Sequence, residues 1–235
     1  MRSILFLFSL IVFPQQGDAV ALPAPGEVSD SVDCVARANQ SYALYLPRGY
    51  TTERRWPVLY LLDPRGRGRH ALDIYRAAAE KHGYILVSSN NSRSDSPAQL
   101  NYEAAQALLD DTFRRLSVDP TRIYVGGMSG TARAACDIAT HVDGGVSGAI
   151  LVGAACSDDV RLDHLSPLDV VAVVGREDFN YVEVQEFTDK LIEGDVSHRL
   201  IVHDGSHAWH DQAIAEDVVA WLELRAIARG FRSGD

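Results

Sequence analysis

The sequence predicts an α/β fold: a mostly parallel sheet with helices packed on both faces. Short runs rich in Val, Ile, Leu and Tyr recur from residue 41 onward, namely PVLYLLD, YILVSS, RIYVGG, GAILVGA, DVVAVVG and RLIVHD. These runs are continuously apolar, as strands covered on both faces must be. Segments with helical spacing separate them, and that alternation requires crossover connections and a parallel sheet. A chain of 235 residues suits a single domain of this kind.

SYALYL, residues 41–46, reads as an early antiparallel strand that stops at the turn signal PRGY. PVLYLLD (57–63) is the first fully buried strand, and helical spacing over 69–82 follows it and stops before Gly83. YILVSS (84–89) leads into the polar loop NNSRSDSPAQ and an amphipathic helix over 102–116. VDP ends that helix and introduces RIYVGG, followed by a helix over about 130–141. GAILVGA (148–154) and DVVAVVG (169–175) are two more buried strands. A helix over 182–192, the last strand RLIVHD (199–204) and a closing helix over 212–229 complete the order. Neither repeats nor a low-complexity linker interrupt it.

The chain opens MRSILFLFSLIVFPQQGDAVALPAPG. Arg2 precedes an apolar run from Ile4 to Phe13, and small residues follow at Gly17, Ala19 and Ala21. This is the layout of a secretory signal peptide, and the run is short for a membrane span. The expected organisation is a signal peptide over 1–21 cleaved after Ala19 or Ala21, an N-terminal extension over 22–40, and one domain over 41–235. The expected destination is secreted or periplasmic, with no stable membrane span after cleavage. Lys plus Arg number 22 against 32 Asp plus Glu, a formal net charge of -10. That balance argues against nucleic acid as a partner, while Arg65, Arg67 and Arg69 leave room for a local basic mouth. Cys34, Cys136 and Cys156 allow one disulfide in an oxidising compartment and leave one thiol over. Cys136 with Cys156 is one candidate pair, and buried free thiols are the alternative.

In sheets of this kind ligands gather at the carboxyl ends of the strands. Three strand ends carry the residue types of nucleophilic catalysis. Gly127-Met128-Ser129-Gly130-Thr131 follows one strand and opens a helix, close to the G-x-S-x-G pattern that lifts a serine above a sheet on a strained turn. Gly127 and Gly130 keep the flanks small, Gly126 gives further room on the strand side, and Gly130 offers a backbone N–H for an oxyanion. Thr131 stands where the pattern has glycine, so the helix is expected to start slightly further from the sheet. Neither a dinucleotide fingerprint nor a phosphate-binding loop is spelled there. A serine needs a base, and the base an orienting carboxylate. Asp178 follows DVVAVVG and His207 follows RLIVHD, which gives the chain order Ser, Asp, His. Asp178 has a competing fate as a helix cap. Glu177 and Asp158 are the reserve acids, and His203 and His210 the reserve bases. The loop after PVLYLLD reads Asp63-Pro64-Arg65-Gly66. Pro64 has no N–H, so the second oxyanion donor is assigned to the backbone of Arg65, with Gly66 next. The Arg65 cation at the mouth would draw an acidic or carboxylate-bearing substrate.

With those residues in place, the chain resembles the α/β-hydrolase superfamily, and within it small secreted esterases related to polyhydroxybutyrate depolymerases and feruloyl or acetylxylan esterases. YALYLPRGY, PVLYLLDPRG, VDPTRIYVGGMSGTAR, VGREDFNY and GSHAW carry the resemblance over most of residues 41–210. It implies Ser129 as nucleophile, Asp178 as acid and His207 as base, with Trp209 matching a GxHxW pattern. It also implies a serine esterase acting on a small or polymer-borne ester through an acyl-enzyme, without cofactor or metal. DPRG in place of His-Gly and Thr131 in place of Gly are the departures. No insertion long enough for a lid is visible, so a small open pocket is expected, with Asn90, Asn91 and Tyr181 near its walls. A peptidase or amidase with the same triad, and a hydrolase-like binding protein that has lost catalysis, are the other readings.

Overall fold

The computed structural model describes residues 22–141 and 145–232. The signal-peptide segment 1–21, with both cleavage positions, lies outside the described residues. Eight strands form one sheet: β1 (Val28–Cys34), β2 (Arg37–Tyr45), β3 (Trp56–Leu62), β4 (Ile85–Ser89), β5 (Val118–Met128), β6 (Gly148–Val152), β7 (Asp169–Gly175) and β8 (His198–His203). Among the described residues six helices accompany them: α1 (Gly68–His82), α2 (Ala98–Arg115), α3 (Gly130–His141), the single turn α4 (Leu162–Leu165), α5 (Tyr181–Glu193) and α6 (Gln212–Ala228). The strand order is β1-β2-β4-β3-β5-β6-β7-β8. β2 runs antiparallel to both β1 and β4, and every pairing from β4 through β8 is parallel.

The predicted architecture is therefore the observed one. Along β3 the side chains alternate between two separate cores, as a pleated strand requires. Val58, Tyr60 and Leu62 join the core that also holds Leu108 of α2, Ala135 of α3 and Leu191 of α5. Leu59 and Leu61 join the core that holds Leu72 and Tyr75 of α1 and Val218 and Leu222 of α6. Every residue of β3, β6 and β7 is buried, which is why those runs carry no polar alternation.

Two expectations need correction. Residues 22–40 are not a separate extension, because Val28–Cys34 pairs with β2 as the outermost strand. β5 begins at Val118, so VDP belongs to the strand and does not act as a turn. The register of β5 against β3 shifts between Trp56 and Val58, which accommodates Pro120 near the strand's start. Among the described residues, no helix is long and apolar enough to cross a membrane.

Cys136, on α3, is disulfide-bonded to Cys156, just past β6, with their Cα atoms 5.5 Å apart. Cys34 is the free thiol and is buried on β1; burial, reinforced by Asp111, pushes its pKa up to about 12. The bridge closes a loop of 20 residues, a length for which a disulfide stabilises by about 3 kcal/mol. The double variant Cys136→Ala/Cys156→Ala is expected to lose about that much stability in urea unfolding; an unchanged midpoint would show that the bridge contributes nothing.

Candidate active site

The carboxyl ends of the parallel strands supply all the candidate residues. Ser129 follows β5 directly and adopts φ 58°, in the left-handed region, one of two non-glycine residues to do so among the described residues. Such backbone costs on the order of 1–3 kcal/mol and persists only where its surroundings hold it. The Ser129 N–H donates to the Val152 carbonyl at 2.8 Å, and its carbonyl accepts from the Ala132 N–H at 2.9 Å. Gly127 must be small, because a Cβ there would stand 2.2 Å from the Thr131 carbonyl oxygen.

Thr131 does not displace the helix. α3 begins at Gly130, and the Thr131 side chain is fully buried beneath the turn. Its hydroxyl donates to the Leu62 carbonyl at 2.6 Å, lies 2.8 Å from the Met128 carbonyl, and accepts from the Met128 N–H at 3.1 Å. The residue that departs from the motif thus ties the turn to the end of β3.

Ser129, His207 and Asp178 converge. The Ser129 hydroxyl lies 2.9 Å from His207 Nε2, and His207 Nδ1 lies 2.9 Å from both oxygens of Asp178. A carboxylate only accepts, so Nδ1 carries the proton and Nε2 is the acceptor for the serine O–H. Asp178 is buried and its Oδ1 also accepts the Asn180 N–H at 2.8 Å. Asp178 does not cap α5, whose N-cap is Asn180 without a side-chain cap bond; its carboxylate is shared between the imidazole and the turn before the helix. Gly153, after β6, sits at φ 63° with a virtual Cβ 2.9 Å from Asp178 Oδ2 and 3.2 Å from His207 Nδ1. Phe179, 77% exposed, leans on the imidazole with ring centroids 4.1 Å apart. Gly153 and Phe179 went unassigned in the sequence; GAAC after an apolar strand and the exposed Phe in REDFNY were their only signals.

The reserve residues stay outside this group. Glu177 and Asp158 are exposed, and His203 belongs to β8. His210 is buried, its Nδ1 donating to the Asp211 carbonyl and its Nε2 accepting from the Tyr75 hydroxyl, both at 2.9 Å. Asn90 and Asn91 reach back to β1, β2 and the chain around them: Asn90 Nδ2 donates to the Asp30 carbonyl, and Asn91 Oδ1 accepts the Ser41 N–H. Tyr181 accepts from Gln185. None of the three lines the cleft.

That cleft, about 580 Å³, lies over Ser129 and His207 and is walled by Arg65, Arg67, Met128 and Trp209 among others. Beneath it lies Asp63, fully buried. Its carboxylate accepts the backbone N–H of Arg65 at 2.8 Å and of Arg67 at 3.1 Å, the Arg67 guanidinium at 3.2 Å and Trp209 Nε1 at 3.0 Å. Burial pushes the Asp63 pKa up, but these hydrogen bonds, led by Arg67, outweigh it and leave a net lowering. The assignment of Arg65 as oxyanion donor is corrected by the same contacts: its N–H is already given to Asp63. The Gly66 N–H is likewise given to the Asp63 carbonyl, at 3.1 Å. Gly130, the first residue of α3, has no helical acceptor for its N–H.

No protein-family model and no curated protein matches the sequence. Solved structures do. S-formylglutathione hydrolase from Staphylococcus aureus superposes with a TM-score of 0.68 at 14% identity, over 86% of this chain and 99% of that one. An esterase of Rhizomucor miehei gives 0.67 at 15% identity, over 89% and 87%. A ferulic acid esterase gives 0.64 at 17% identity, over 85% and 98%. The chain has the α/β-hydrolase fold.

Two measurements probe this geometry. Gly153→Ala is expected to lose about 1–3 kcal/mol from left-handed strain, read by urea unfolding, and its crystal structure to show the Asp178 carboxylate displaced from His207. Burial lowers the His210 pKa to about 4. The unfolded state therefore binds the extra proton between about pH 6.5 and pH 4, and stability falls as pH drops through that window. Wild type should lose about 2–3 kcal/mol more than His210→Gln between pH 7 and pH 4.5. Equal losses in the two proteins would contradict a neutral buried His210.

Proposed function

We propose that the protein is a serine hydrolase of carboxylic esters. The observation that carries this reading is the chain of contacts from the Ser129 hydroxyl through His207 to Asp178, each 2.9 Å. The Ser129 oxygen attacks the ester carbonyl carbon while its proton passes to His207 Nε2, and the carbonyl π electrons move to oxygen. Asp178 holds the imidazole in the required tautomer and stabilises it once charged. The Gly130 N–H donates to the oxyanion. Collapse of the tetrahedral intermediate expels the alcohol, which takes the proton from His207, and leaves an acyl-enzyme. Water, deprotonated by the same imidazole, then releases the acid.

The structural neighbours are esterases and an S-formylglutathione hydrolase, which favours esters over amides. Arg65 is exposed on the wall of the cleft, which favours substrates bearing a carboxylate. Export to an oxidising compartment belongs to the same proposal. It is supported by Arg2, by the apolar run Ile4 to Phe13 and by the Cys136–Cys156 bridge.

Wild type is expected to hydrolyse p-nitrophenyl esters and to react with a fluorophosphonate at Ser129. Ser129→Ala should lose about three orders of magnitude or more of kcat/KM. Faster turnover of a matched amide would move the reading to an amidase. A folded wild type that neither turns over nor labels would leave a binding protein.

A further inference from the structure

We propose that Phe179 binds the alcohol portion of the ester, and that the protein prefers esters of apolar, ring-bearing alcohols. This deepens the hydrolase reading above and rests on it. The place of the alcohol follows from the proton transfers. The leaving oxygen takes its proton from His207 Nε2, so it must come within about 3 Å of that atom. The acyl carbon, by contrast, is bonded to Ser129 Oγ. Whatever the alcohol oxygen carries therefore extends past the imidazole, where it meets the side chains packed on that ring.

A lone exposed apolar residue is ordinary on a protein surface. Phe179 differs in where it is held. Its ring is 77% exposed, yet its centroid lies 4.1 Å from that of the His207 imidazole, with the planes inclined by 36°. Nε2 is an atom of that imidazole, so the group on an oxygen hydrogen-bonded to it comes within van der Waals reach of the Phe179 ring. The turn that carries Phe179 is fixed on both sides. Asp178 Oδ1 accepts the Asn180 N–H at 2.8 Å, the Asp178 carbonyl accepts the Tyr181 N–H at 3.0 Å, and Asn180 Nδ2 donates to the Gly153 carbonyl at 2.7 Å. The carboxylate that orients the imidazole thus also sets the backbone of the phenyl ring, which leaves little ordering cost to binding. Val182, in the first turn of α5, is 61% exposed and adds no polar group. A phenyl ring offers stacked or edge contacts and no hydrogen bond, which selects rings over polar or charged alcohols. The cleft that holds Arg65 and Arg67 is bounded by His207, and Phe179 lies outside it. The imidazole therefore stands between a cation-lined cleft and an aromatic surface, and an ester at Ser129 reaches both.

Phe179→Ala tests this by steady-state hydrolysis of benzyl acetate, methyl phenylacetate and methyl acetate, which carry a ring on the alcohol, on the acyl group and on neither. The readout is kcat/KM for each ring-bearing ester relative to methyl acetate, so that any general change at the imidazole cancels. The benzyl acetate ratio should fall about tenfold, the size of a good aromatic contact. The methyl phenylacetate ratio should stay within about twofold, because its ring leaves with the acyl group. Phe179→Tyr keeps the ring and should hold the benzyl acetate ratio within about threefold of wild type. If Phe179→Ala does not fold, Phe179→Leu, which also removes the ring, is read by the same ratios. An unchanged benzyl acetate ratio overturns the assignment, and so does a loss shared equally by all the esters, which marks a ring that only positions the imidazole. A fall in the methyl phenylacetate ratio instead, or a Phe179→Tyr as poor as Phe179→Ala, overturns it too. If these results come from an enzyme that Ser129→Ala abolishes, the alcohol-site assignment alone fails. If wild type neither turns over nor labels at Ser129, the hydrolase reading fails and takes this inference with it.

Discussion

The site depends on a single backbone conformation, the left-handed turn at Ser129. It lifts the hydroxyl off the sheet and starts α3 at the next residue, so that a helix N–H faces the same space. That conformation is intrinsically unfavourable, and the residues around it are explained by what holds it. Gly127 lets the first turn of α3 come down onto the strand. Thr131 anchors the turn to β3 through its buried hydroxyl. Val152 of the neighbouring strand takes the Ser129 N–H. A glycine in the position of Thr131 makes none of these side-chain contacts, so the departure from the motif supplies an anchor that the motif lacks.

A second layer positions the imidazole of His207. Asp178 fixes the imidazole from one side, and Gly153 leaves the space in which the two meet. Trp209, two residues beyond the histidine, is hydrogen-bonded to Asp63 at the end of β3. Asp63 therefore links the loop carrying His207 to the loop that in related folds supplies an oxyanion donor. The same carboxylate that orders both loops takes up the Arg65 N–H. A departure at one point of the loop, aspartate and proline where many proteins of this fold have histidine and glycine, thus changes which groups remain free to face the cleft.

Most of the sheet was legible because its strands are buried on both faces and carry an unbroken apolar signal. β1 was not, because VSDSVDC is an edge strand with alternating exposure and two aspartates. The start of β5 was hidden by Pro120, which reads as a terminator except where a register shift admits it. Ser129, Asp178 and His207 could be placed because chain order and strand ends constrain them. The Arg65 donor could not be judged, since whether an N–H is free depends on a side chain two residues away folding back onto it. Phe179 and Gly153 belong to the same class, being defined by contacts across the sheet and by no local pattern.

The imidazole is carried by the loop after β8, the strand at the sheet's far edge. β8 pairs on one side only and is half-buried along its length, unlike the inner strands that carry the serine and the carboxylate. Fraying at such an edge takes less free energy than global unfolding. Fraying there would part the imidazole of His207 from the Ser129 hydroxyl while the inner strands keep their pairing. The contact between them is only as durable as one outer strand, whatever the stability of the sheet behind it.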